Sequence, residues 1–140
     1  GSAQVKALST AQIEALSTVQ MAALGSAGVA GLSADHVAAL TTDQTAAFTT
    51  AQIKALGTAA VVALTTAQAA ALTTAQAGGL STEQVEALTT AQVAALGSAQ
   101  IRALSTAQIT ALGADTAALS SAGVAGLSAD HVAALTTDQT

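Results

Sequence analysis

The chain contains no cysteine, proline, tryptophan or tyrosine, and phenylalanine occurs once, at Phe48. The missing cysteines exclude disulfides and thiol chemistry, and they are compatible with secretion without requiring it. Charge is scarce as well, at 8% of residues against about 25% in an ordinary domain. The three bases, Lys6, Lys54 and Arg102, form no basic patch, and the net charge is −5. Nucleic acid and anionic membrane surfaces are therefore poor partners. No apolar run approaches the roughly 20 residues that span a bilayer, so membrane insertion is not expected. The longest resemble Ala59–Leu64, bounded by Gly and Thr. The N-terminus shows no basic region followed by an apolar one, so no signal peptide is expected within these residues. Gly1-Ser2 looks like a cloning scar, but Gly97-Ser98 occupies the same place in the pattern described next.

Hydrophobic residues make up 51% of the chain, yet more than half of them are Ala. The large aliphatic residues, with Met21 and Phe48, number 32, about one in four, so any core is thin and regular. Their spacing is periodic. Leu recurs every eight residues from Leu8 to Leu112, with Phe48 in the one gap. The unit reads Ser/Thr-Thr-Ala-Gln-Val/Ile-x-Ala-Leu, with clean copies at Ser9–Leu16, Thr49–Leu56, Thr89–Leu96 and Ser105–Leu112. Gly113–Leu119 is one residue short and lacks the Gln position. A longer period lies above the octad. Ser26–Thr45 and Ser121–Thr140 are identical, and Gly1–Leu16 matches Gly97–Leu112 at all but three positions, giving a 96-residue repeat. Recent duplication or deliberate design accounts for such near-identity. The pattern halts mid-unit at Thr136–Thr140, so residues 1–140 read as a single array excerpted from a longer one.

A continuous helix does not fit this period. Eight residues advance about 800°, so the Leu row would drift by roughly 80° per unit, and the heptad of a coiled coil is missing. A short helix restarted in every unit fits. Ser or Thr followed three residues later by Gln is a capping box, and Leu before the cap with Val/Ile at the fourth helical position is a hydrophobic staple. Leu8, Ser9, Gln12 and Ile13 carry the pattern, and Leu104, Ser105, Gln108 and Ile109 repeat it. Asp35, Asp43, Glu83, Asp115, Asp130 and Asp138 all fall at unit position three, the first turn, where negative charge suits the helix dipole. Isolated helices this short are marginal in water, so the units must stack on one another.

The expected fold is all-α, a solenoid or superhelix of very short helices, one per octad. Three units per turn is the count that unit position six favours. Charges stand there at Lys6, Glu14, Lys54, Glu86 and Arg102, whereas every third unit has Ala, at Ala22, Ala46, Ala70 and Ala94. The alternative is a β-solenoid, for which Thr and Val speak. Abundant Ala, which strands disfavour, and the lack of Asn-Gly turns speak against it.

No catalytic, cofactor-binding or metal-ligating residue is assigned, and no cofactor is expected. His36 and His131 follow Asp35 and Asp130, which would suit a metal or acid–base role. They are copies one long period apart, however, and stand where Gln usually stands, so they read as variant caps. Gly28, Gly31, Gly78 and Gly79 form no phosphate loop and mark tight contacts or weak units. Phe48 replaces Leu in the core. Thr at position two, from Thr10 and Thr18 to Thr90 and Thr106, would form hydroxyl rows like those of ice-binding proteins, suited also to mineral or glycan surfaces.

The run Leu88–Leu96, Leu-Thr-Thr-Ala-Gln-Val-Ala-Ala-Leu, resembles the octapeptide repeats of very large, low-complexity bacterial proteins that are secreted or surface-associated. The resemblance implies a structural spacer or adhesive role at the cell surface or outside the cell, and no site residues. The expected function is a non-catalytic spacer or scaffold. The alternatives are a binding module using the Thr rows to engage a partner, glycan, ice or mineral, and a designed repeat. Self-association along the array is expected, because the end units carry no obvious polar cap. A protein or surface partner is left open.

Overall fold

The computed structural model describes residues 1–135. Among these lie sixteen α-helices and one 3₁₀ helix, each four to six residues long, and no strand. The protein is an all-α solenoid of short helices, one per octad, and the β-solenoid is set aside.

The helices are short because every octad contains its own stop and start. Leu40 leaves the helix Ala34–Ala39 at φ −61° and ψ 143°, and Thr41 enters Thr42–Ala46 at φ −74° and ψ 162°. Two consecutive extended residues make the corner, and both lie in the region open to any L-residue. Among the described residues only Gly113 has a positive φ, at 55°. The cap then restarts the helix reciprocally. Ser9 Oγ accepts from the Gln12 N–H at 3.2 Å, while the Ser9 N–H donates to Gln12 Oε1 at 2.8 Å. These bonds satisfy backbone donors that a helix start leaves unpaired. Asp35, Asp43, Glu83, Asp115 and Asp130 lie in the first turns of their helices, and Asp138 lies outside the described residues.

Burial repeats with the octad. In Thr89–Leu96 the first three residues are exposed, Gln92 and Val93 are buried, Ala94 is exposed, Ala95 is half-buried and Leu96 is buried. Positions five and eight, such as Ile53 and Leu56 or Ile101 and Leu104, join in one core that runs the length of the stack, with Phe48 in the Leu row. Fully burying one such side chain is worth about 1.5–3 kcal/mol. Two per octad must offset the ordering of eight residues, so no unit can stand alone.

Neighbouring turns meet at a fractional count. The helix Thr66–Ala71 packs on Thr42–Ala46, three octads earlier, and under Thr90–Ala95, three octads later. Its Gln68 reaches further, donating to the carbonyls of Val37 and Leu40, 31 and 28 residues back in the fourth octad. A turn thus holds between three and four octads. The helix packing agrees with the expected three, but the position-six argument for it does not hold. Ala22, Ala70 and Ala94 are exposed, as Lys54 and Arg102 are, and only Ala46 of the four is half-buried, so these alanines mark no occluded side.

The short octad is absorbed without loss of register. Gly113–Ala118 winds as a 3₁₀ helix, whose larger rise per residue lets fewer residues cover the span. Before it, His36 meets Leu8 at a separation of 28 residues. After it, His131 meets Leu104 at 27. The two glycines in equivalent places behave alike. A Cβ on Gly31 would lie 2.4 Å from the Ser2 carbonyl oxygen, and one on Gly126 would lie 2.3 Å from that of Ser98. Both are tight contacts between turns, as the sequence suggested for Gly31.

Candidate interaction surface

The most regular chemistry lies between the turns. Each interior Gln does two jobs with one amide. In Thr89–Leu96, Gln92 Oε1 accepts from the Thr89 N–H at 2.8 Å, and Gln92 Nε2 donates to the carbonyls of Val61 and Leu64 at 2.8 and 2.7 Å. Gln44, Gln52, Gln68, Gln76, Gln84, Gln100 and Gln108 make the same double connection. The oxygen restarts the unit's own helix, and the nitrogen donates to the carbonyls at the helix end of the turn below. The Leu64 carbonyl is one that a helix C-terminus leaves over, whereas that of Val61 also accepts from the Leu64 N–H. The result is a buried ladder of amides that ties every turn to the one beneath it.

Sequence reasoning assigned the cap and missed the ladder. The signal was present. Position four is Gln in eleven of the fourteen octads up to Leu112 and never Glu, although Glu caps as well as Gln. A carboxylate has no proton to donate, so the constant amide marks a second bond.

His36 obeys the same rule. Its Nδ1 accepts from the Ser33 N–H at 3.2 Å, and its Nε2 stands 2.7 Å from the Leu8 carbonyl oxygen. An N–H can only donate and a carbonyl can only accept, so these partners assign the proton to Nε2. His131 repeats the arrangement with Ser128 and Leu104. Both rings are committed, one to each end of the array. Among the described residues no three His, Asp or Glu side chains gather as a metal set.

The ladder has gaps. Position four is Gly28, Ala60 and Gly123 in three octads and is missing from Gly113–Leu119. At Gly57–Leu64 the cap is also Gly, and no side-chain cap bond forms. There Val61, buried at position five, and Leu64 hold the unit.

The outward face is uniform. Thr10, Thr18, Thr42, Thr50, Thr58, Thr66, Thr74, Thr82, Thr90 and Thr106 are all exposed, as are the residues that follow them at position three. Lys6, Glu14, Lys54, Glu86 and Arg102 are exposed at position six. No helix among the described residues is long and apolar enough to cross a membrane.

A cavity of about 500 Å³ opens on the first turn, lined by Gly1, Gln4, Val5, Leu8, Leu24 and Gly28 among others. It lies on the end face of the solenoid.

No curated protein and no solved structure matches the chain. A family model described as the ALTTAQ repeat matches in five overlapping stretches, residues 1–26, 18–50, 46–74, 70–98 and 94–116. Its name spells the Ala-Leu-Thr-Thr-Ala-Gln junction at which one unit ends and the next is capped. The chain belongs to the ALTTAQ repeat family.

Proposed function

We propose that this chain is a non-catalytic spacer or scaffold segment of a larger protein that works at the cell surface or outside the cell. The observation that carries the reading is the amide ladder. Eight glutamines each bond to carbonyls 28 and 31 residues earlier, so added octads lengthen the stack without changing its section. The polar chemistry of the interior octads is spent on holding turns together. Small-angle scattering tests it directly. A segment of this kind is elongated, and its largest dimension grows in proportion to the number of octads. A dimension that does not grow with octad number contradicts the reading.

A second reading rests on the outer face, where exposed Thr follows the cap in ten octads. Low charge and regular hydroxyls suit adsorption to a glycan, ice or mineral surface. Thermal hysteresis or adsorption, lost when Thr50, Thr66, Thr74 and Thr90 are replaced by Lys, would favour this reading over a plain spacer.

A further inference from the structure

Two rungs of the ladder between turns are made of a group that titrates. Eight rungs are Gln, whose amide neither gains nor loses a proton near neutrality. The other two are His36 and His131, one in each copy of the long repeat. Histidine is the side chain whose charge ordinarily changes between about pH 5 and 8.

The geometry at each ring suits the neutral form alone. The Ser33 N–H donates to His36 Nδ1 at 3.2 Å, and Nε2 donates to the Leu8 carbonyl at 2.7 Å. His131 does the same with Ser128 and Leu104, at 3.2 and 2.7 Å. An imidazolium carries a proton on both nitrogens. The added proton at Nδ1 points at a backbone N–H, so the cap bond becomes a contact between two donors. Both rings are buried, at 6% and 4% exposure, where an unpaired donor is costly. Each His is also the third residue of its helix, Ala34–Ala39 or Ala129–Ala134, and positive charge at a helix start opposes the dipole.

The surrounding charges do not offset this. Ala34–Ala39 packs on Thr10–Glu14 and Thr58–Val62, and Ala129–Ala134 packs on Thr106–Ala111. The acids on these elements, Asp35, Glu14 and Asp130, are all exposed, and Thr58–Val62 and Thr106–Ala111 carry no charged side chain. Lys6 and Arg102 stand two residues before the accepting Leu8 and Leu104 and add charge of the same sign as an imidazolium.

We propose that His36 and His131 are acid-labile rungs, one per long repeat, in a ladder that Gln otherwise makes indifferent to pH. The folded chain holds the neutral ring, whereas the unfolded chain takes up the proton freely. The unfolded state then binds more protons, so stability rises with pH. The contribution is complete above about pH 7 and is lost as pH falls towards 5. The loosening is local. It frees Ser33–Leu40 from the octad that ends at Leu8, and Ser128–Leu135 from the one that ends at Leu104, while turns tied by Gln hold. Acid thus divides a long array at one place in each repeat. The inference is independent of the spacer role.

The test is amide hydrogen exchange of the full 140-residue chain, followed by NMR at pH 7.5 and 5 and corrected for the intrinsic pH dependence of exchange. The Ser33 and Ser128 N–H groups donate to the two rings and lose protection on the order of tenfold at pH 5. The Thr89 N–H, which donates to Gln92, keeps its protection. His36→Gln with His131→Gln installs the ordinary rung, and Ser33 and Ser128 then follow Thr89 at both pH values. This variant retains the N-terminal amine and every carboxylate, so it separates their titration from that of the rings. The ring nitrogens themselves report a proton on Nε2 and none on Nδ1 at pH 7.5. Should the double variant fail to fold, the comparison of Ser33 with Thr89 in the wild type decides alone. Equal protection of Ser33 and Ser128 at the two pH values, a variant that keeps the wild-type acid response, or a proton on Nδ1 at pH 7.5 overturns the proposal.

Discussion

Ala34–Leu40 and Ala129–Leu135 are the same seven residues, and the two stretches fold alike and pack differently. Both form a six-residue helix capped by Ser, with His bonded to its own cap and to a carbonyl of the turn below. Yet Val37 is at 0% exposure and Val132 at 56%. The difference is what lies above. Thr58–Val62 covers the first helix three octads later, and no helix among the described residues plays that part for the second. Local structure is therefore written within eight residues, whereas stability depends on partners 24 to 31 residues away. The same division separates the first turn from the rest, where Gln12 is exposed and Gln92 is buried with identical flanking grammar.

The comparison breaks most sharply at those two glutamines. Gln92→Glu keeps the cap acceptor but places a carboxylate against the Val61 and Leu64 carbonyls, at a site 2% exposed. An uncompensated buried charge costs roughly 3–5 kcal/mol, and chemical denaturation at neutral pH should read a loss of that size. Gln12→Glu, at an exposed site whose bonds are to its own cap, should stay within about 0.5 kcal/mol of wild type. Equal losses at the two sites would mean that the interior bonds carry no weight.

The valines give the next largest contrast. Val37→Ala should cost about 2 kcal/mol, from two buried methyl groups and the cavity they leave. Val132→Ala, in the same local sequence, should cost less than about 0.5 kcal/mol. The smallest effect is expected at Gly57, where a Cβ would meet nothing within 4 Å. Gly57→Ser supplies the missing cap and should stabilise by a few tenths of a kcal/mol, measurable as a small rise in Tm.

The octad itself told most of the fold. The Leu spacing excluded a continuous helix, and Ser/Thr with Gln three residues on marked every helix start. What sequence alone obscured were the relations between turns. The count per turn is set by how far Gln68 reaches past Leu40 while its helix rests on Thr42–Ala46. No single octad encodes that compromise, and the alanines at position six, mostly exposed, carried no information about it. The ladder was legible in principle, because Gln was never replaced by Glu and was replaced in two places by His, which also has one acceptor and one donor. The missing residue in Gly113–Leu119 looked like a defect, but the tighter 3₁₀ winding restores the register within one unit.

Hydrogen exchange of the glutamine side-chain amides tests the ladder most directly. The Nε2 protons of Gln68, Gln76 and Gln92 are buried against carbonyls of the turn below and should exchange only when turns separate, orders of magnitude more slowly than a free amide. Those of Gln12 and Gln20 should exchange at the free rate. Uniformly fast exchange across all of these glutamines would contradict the account.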